Sequence, residues 1–318
     1  MNNKKIVGFL LGAMLLAISF STEAQQVNKG YRVGFLLSTA ADSSEPQAVL
    51  RGLRELGYVE RQNIFVEQSD KAAELVRLKV DVIVVFGTSA ALAAKKATST
   101  IPIVMASSAN PVGSGLVASL ARPGGNITGL TSVSAELGGK RLELLKEIVP
   151  GLSRVVIPAP AGSSTEDLFI KETEPPARAL KLQLIRFPVR GPEDYESIFR
   201  VASKERANGL LVRLPVANTP SVQRKQLADL AAKNRLPAVY ESTAYVEDGG
   251  LIGYGLDRGW RYQRTAVFVD KILKGTKPAD LPVEQPMKFE LVINLKAAKQ
   301  IGLTIPPNVL VRADKVIR

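Results

Sequence analysis

The chain has 318 residues, 46% of them hydrophobic and 23% charged, with a net charge of +12 at pH 7 and neither Cys nor His. That balance belongs to an ordinary globular protein, long enough for one large or two medium domains and stabilised by buried core without disulfides. It excludes His- and Cys-based metal sites and the usual base of an activated serine, and the positive residues, spread without a dense block, serve solubility and weak steering of anions.

In chain order, Lys4 and Lys5 precede an uncharged, largely apolar run from Ile6 to Phe20, and Thr22-Glu23-Ala24 follows. This is the three-part plan of a secretory signal (residues 1–24), cut before Gln25 and too short for a comfortable membrane span. No twin-Arg pair and no Cys accompany it, so neither Tat export nor lipid attachment is indicated. The expected product is exported and released, which removes nucleic acid as a partner. No later segment offers the ~18 uninterrupted apolar residues of a spanning helix.

Short apolar runs then alternate with helical patterns, twice over. The first half predicts strands at Tyr31–Leu37, Asn63–Glu67, Asp81–Phe86 and Ile101–Ala106. The second predicts them at Arg154–Ile157, Gln183–Phe187, Gly209–Val212 and Pro237–Tyr240. Runs rich in Val, Ile and Leu, separated by helices, read as buried parallel strands. Predicted helices cover Glu45–Leu56, with Val49, Leu50, Leu53 and Leu56 on one face and Gly57 as the stop, then Glu136–Ile148, Glu193–Ala207 and Ser221–Asn234. Each half is therefore a βαβαβαβ unit with right-handed crossovers, an α/β doubly wound sheet with helices on both faces.

The remaining elements are a strand at Leu251–Gly255, a long helix over Arg258–Leu273, and an extended, helix-free crossing with Pro278, Pro282 and Pro286. A strand at Met287–Ile293, a short helix over Asn294–Ile301 and a proline-containing tail complete the chain. Elements that follow both halves favour a two-lobed clamp over a side-by-side enzyme. The expected division is 25–130 with 249–284 in one lobe and 131–248 with 285–318 in the other. Three crossing strands form the hinge, and the cleft lies at the carboxyl ends of the sheets.

Gly87-Thr88-Ser89-Ala90 sits between a strand and a helix, where a nucleophile elbow would be, but residue 91 is Ala and no His is available as base. Its helix N-terminus, with the Thr88 and Ser89 hydroxyls, suits either an anion-binding turn or a plain N-cap. Gly113-Ser114-Gly115-Leu116-Val117-Ala118 follows G-x-G-x-x-A only loosely, with Asn110-Pro111 intervening and no ribose-binding acid, so its glycines read as backbone freedom in a turn. No Walker A sequence or calcium loop is present. No cofactor and no metal are expected, and binding is a stronger class than catalysis.

Several segments together resemble one family: Gly52 to Glu60, Asn110 to Val117, Ala121 to Gly129, Glu136 to Val149, Gly249 to Gly255, and the run ILKGTKPADLPVEQPMKFELVINLKAAKQIGL from Ile272 to Leu303. They resemble the substrate-binding proteins of ABC transporters of the tryptophan/tyrosine uptake type. The resemblance implies a class I periplasmic-binding-protein fold, with a small ligand held between the lobes. It also implies a membrane permease and an ATPase as partners. The signal sequence puts the expected carrier in the periplasm, and it is expected to be a monomer.

Departures from that pattern concern the ligand. Gln68-Ser69-Asp70-Lys71 is a shortened join, and Pro158 to Ser164 replaces an Asn/Pro-rich loop. Asn110 stands where Asp is common, and Leu214 to Asn218 lacks an acid. An amino-acid ligand wants an acid for its ammonium and donors for its carboxylate. Glu241 at a strand end is the candidate acid, against the alternative of a solvated Glu; Tyr240 and Tyr254 either stack on a ligand or belong to the core. The expected ligand shell is Ser38, Thr39, Thr88, Ser89, Ser108, Asn110, Tyr240, Glu241 and Tyr254. Two other functions fit the pattern: a ligand sensor for a membrane receptor, and an exported hydrolase relying on Ser89.

Overall fold

The structure, a computed structural model, describes residues 30–37, 44–132, 137–162, 164–215 and 219–318; the expected signal sequence lies outside the described residues. Two open sheets carry the fold. The first contains β1 (Tyr31–Leu36), β2 (Ile64–Ser69), β3 (Val82–Phe86), β4 (Ile103–Ala109) and β5 (Ile127–Ser132). Its order is β2-β1-β3-β4-β5, parallel throughout. The second contains β6 (Arg154–Pro160), β7 (Gln183–Val189), β8 (Gly209–Val212), β9 (Ala238–Tyr240), β10 (Ile252–Leu256), β11 (Phe289–Asn294) and β12 (Lys315–Ile317). It runs β7-β6-β8-β9-β10-β11-β12, so its first five strands repeat the order of the other sheet. Only β11 reverses direction against β10, and β12 then follows β11 in parallel.

The described helices are α1 (Ser44–Glu55), α2 (Ala72–Arg77), α3 (Thr88–Ala97), α4 (Leu137–Ile148), α5 (Ser164–Ala179), α6 (Tyr195–Lys204), α7 (Ser221–Lys233), α8 (Ala244–Glu247), α9 (Arg258–Leu273), α10 (Leu295–Gln300) and α11 (Pro307–Leu310). Both sheets are covered on both faces, and strand alternation decides which layer each residue enters. In the first sheet Val33, Phe35, Val82, Val84 and Val104 pack with α1 and α9, through Leu53, Ala266 and Val269. Leu36, Ile83, Val85, Ile103 and Met105 face α2 and α3, through Leu75, Ala91 and Ala94. The second sheet repeats the pattern, with α4 and α5 on the side of Val155, Ile157 and Leu211, and α6, α7 and α8 on the side of Val156, Leu210 and Val212.

Three crossings join these two lobes, as the clamp reading expects. The first lies between β5 and α4, the second at Asp257 between β10 and α9, and the third between Glu284 and β11. The second and third are tied together: Asp257 N donates to Lys288 O at 3.0 Å, and the Lys288 ammonium lies 2.8 Å from the Asp257 carboxylate. Asp257 also caps α9 by accepting the Trp260 amide at 3.0 Å. Glu284, before the third crossing, extends the first sheet beside Leu130 and is held by Arg264.

Several elements differ from the sequence reading. Ile252–Leu256, assigned with 249–284 to the first lobe, is a strand of the second sheet, pairing in parallel with β9 and antiparallel with β11. The reason is close backbone approach: a Cβ at Gly255 would lie 2.1 Å from Glu241 O, so only glycine lets this strand lie against the turn after β9. Strand β5 was not predicted, because ITGLTS is polar and interrupted by Gly129 at φ 124°, where a Cβ would stand 2.3 Å from Met105 O. Helix α5 was hidden by Pro175-Pro176, which remove two amide donors, although Pro176 packs against Gly139 of α4. Strand β12 lies in the expected tail, and Pro278–Asp280 forms a 3-10 turn within the crossing read as helix-free.

Candidate functional site

In each sheet the strand order reverses at the first strand, with β1 lying between β2 and β3 and β6 between β7 and β8. Ligands of open α/β sheets sit outside the carboxyl ends at such a switch point. In the first lobe the edge is built on Gly87, whose φ of 93° turns the chain from β3 directly into α3. Thr88 then faces the end of β4. Its Oγ1 lies 3.1 Å from Ser108 Oγ and accepts the Ala109 amide at 3.1 Å. Ser108 is buried and Ser89, one residue further along α3, is exposed.

Asn110 is exposed and is used by its own loop. It adopts φ 44°, its Oδ1 accepts the Gly113 amide at 2.9 Å, and its main-chain oxygen accepts the Ser114 amide and hydroxyl. The loop is further tied by Lys95, whose ammonium donates to Gly115 O. The G-x-G segment is thus a turn. Of the expected shell, the fold brings Thr88, Ser108 and Asn110 to one edge, with Ser89 beside them; Ser38 and Thr39 lie outside the described residues.

The second lobe places its three expected residues differently. Tyr240 is fully buried, its ring stacked on Tyr245 at 4.9 Å between centroids in the core below α6 to α8, and burial raises its phenol pKa. Tyr254 is half-buried on the opposite face of the sheet, 6.3 Å from the Phe289 ring. Glu241, at the end of β9, directs its carboxylate to Arg213 Nη1, and both side chains are only 9% exposed.

Sequence reasoning missed the residues that surround Glu241. Arg213 leaves β8 at the switch point, its amide donating to Pro158 O at 3.0 Å. Its guanidinium stands 4.5 Å from the Phe169 centroid and 3.5 Å from the carboxylate of Glu166, in the first turn of α5. Arg141 of α4 is 1% exposed; Nε donates to Tyr254 O at 2.8 Å and Nη2 to Glu241 O at 3.3 Å. Burial pulls its pKa down to about 10, partly offset by Glu241, so it remains a cation at neutral pH. Burial also pushes the Glu166 carboxyl up to about 7, against the opposing pull of Arg213. One signal was readable: Arg141 falls on the same stripe as Leu145 and Ile148, a charge on the apolar face of its helix.

The second edge is therefore a buried set of alternating charges and the first a neutral hydroxyl edge. Among the described residues no group of three metal-ligating side chains is present.

Comparison with known proteins agrees over the whole fold. A structure from Vibrio cholerae, described as a conserved domain protein, is 28% identical, with a TM-score of 0.80 over 91% of this chain and 99% of its own. The ABC domain from Streptococcus pneumoniae, solved in complex with L-Trp, is 27% identical, also with a TM-score of 0.80, over 91% of this chain and all of its own. The tyrosine-binding protein of Clostridioides difficile (strain R20291) is 24% identical over 264 residues, 80% of this chain and 75% of that one. The sequence pattern described as ABC transporter substrate binding protein matches from Val33 in β1 to Ile317 in β12, through both sheets and all three crossings, and the chain belongs to that family.

Proposed function

We propose that the mature chain, from Gln25 onward, is the periplasmic solute-binding component of an ABC importer and that its cargo is an aromatic amino acid or a close relative. The observation that carries this reading is the full-length likeness to a protein solved with L-Trp. The paired edges add chemical sense: hydroxyls and helix amides at one, and acids shared with guanidinium groups at the other. Such a monomeric carrier performs capture without turnover. Contacts to the ligand from both lobes favour a closed arrangement, and a permease with its ATPase reads that closure.

The test is a thermal-shift series on the mature protein with L-tryptophan, L-tyrosine, the other amino acids and small aromatic acids. A ligand present at 100 times its Kd adds about 2.7 kcal/mol to stability, a rise of several degrees. Progressive stabilisation by L-tryptophan or L-tyrosine is the expected result. Stabilisation by a different chemical class, with none from aromatic amino acids, refutes the cargo assignment.

A further inference from the structure

The second lobe shares one guanidinium between two acids. Arg213 meets Glu241 from the end of β9 and Glu166 from α5, above the Phe169 ring. Glu166 is 1% exposed, and its Oε1 has no hydrogen-bond partner among the described residues. Besides Arg213, the charged groups acting on it are Glu241, Arg186 of β7, and Asp167, its neighbour on α5, which lies 2.7 Å from Arg186; Arg141 of α4 is directed instead to the main-chain oxygens of Tyr254 and Glu241.

We propose that Glu166 is a positioning residue for recognition of a ligand ammonium, setting through its own proton how strongly Arg213 neutralises Glu241. With Glu166 ionised, Arg213 is shared, and Glu241 keeps negative charge for the ammonium. With Glu166 protonated, Arg213 and Glu241 close into a neutral pair and the attraction weakens. The ligand class is a primary amine, and the inference rests on the reading that this chain captures a small solute between its lobes.

Both protonation forms coexist near neutrality, because burial holds the Glu166 carboxyl at about 7. A sequence with neither His nor Cys contains few other groups that titrate there. Burial also raises the carboxyl of Glu290 of β11, which accepts from Thr243 at 3.3 Å and supplies the control.

The experiment is calorimetric titration of L-tryptophan and L-tyrosine, and of the amine-free analogue indolepropionate, into the mature protein between about pH 5.5 and 8. The ammonium and carboxylate of the amino acids stay ionised across that window. Wild-type affinity for the amino acids is expected to rise roughly tenfold with pH, equivalent to one pKa unit of coupling. Glu166→Gln flattens the profile at the low-pH value, Glu290→Gln keeps the wild-type slope, and indolepropionate shows no rise. A 13C-NMR titration of the glutamate carboxyls reads the same coupling without substitution: the carboxyl of highest pKa moves down when L-tryptophan binds. An unchanged slope in Glu166→Gln, a flat or falling wild-type profile, or an equal rise with indolepropionate overturns the proposal and leaves solute capture standing. Failure of every amino acid and simple amine to bind overturns both the proposal and the cargo class.

Discussion

Replacing Glu166 by Gln in the ligand-free protein makes a prediction about stability with a definite sign. The carboxyl is held at about 7 in the folded chain, against an ordinary value of 4.5. Between those two values the native state binds more protons than the unfolded chain, so stability falls as pH rises. The contribution is fully present below the unfolded pKa and is lost as pH climbs through the folded one. At roughly 1.4 kcal/mol per pKa unit, the loss amounts to about 3 kcal/mol. Gln keeps the shape of the protonated acid and cannot ionise. The variant should therefore match wild type near the acid end of the window and exceed it by up to about 3 kcal/mol at pH 8. Asp194 and Asp257, whose pKa values are depressed, lose their contributions only at still lower pH and do not blur the comparison. Urea unfolding followed by far-UV circular dichroism is the suitable assay, because the single Trp, Trp260, lies on α9 in the first lobe. Parallel pH profiles for the two proteins, or a variant less stable than wild type at pH 8, would refute a buried, proton-holding Glu166.

Two further substitutions probe the frame around the site. Arg141→Ala removes the donor to Tyr254 O and Glu241 O and should cost about 3–5 kcal/mol, the scale for breaking a buried charged group's partnerships; an unchanged urea midpoint would show that α4 does not hold the second edge in place. Gly129→Ala forces a Cβ to within 2.3 Å of Met105 O at φ 124°, with an expected loss of about 3 kcal/mol or more. Equal stability there would mean that β4 and β5 separate without cost.

The sheets were legible because nearly every interior strand is a buried apolar run, and the repeated strand–helix alternation left few topologies open. What escaped was carried by contacts that no local window contains. Strand β5 depends on a glycine pressed against Met105, and β10 joins the second sheet because Gly255 can touch the backbone of Glu241. The same limit applied to the site. Thr88 and Ser108 were identified separately as strand-end residues, but their 3.1 Å pairing comes from the adjacency of β3 and β4 and the register shift between Val85 and Phe86. Tyr240 and Tyr254 looked equivalent in the sequence, yet alternation sends one ring into the core below α6 to α8 and leaves the other half-buried on the opposite face.

Glu241 shows how much chemistry such separation conceals. Read alone, it is an acid awaiting an ammonium; in the fold its partner is Arg213, which also faces Glu166, while Arg141 fixes its main-chain oxygen. Those four side chains come from positions 141, 166, 213 and 241, on four different elements of one lobe. The loop after β8 lacks an acid between Leu214 and Asn218, and read as sequence that looked like a loss of recognition chemistry. Arg213 reverses that reading: it begins the same loop with the opposite charge and draws two acids toward it from neighbouring elements. The charge around Glu241 is thus a property of the set, and it cannot be assigned from any one of its members.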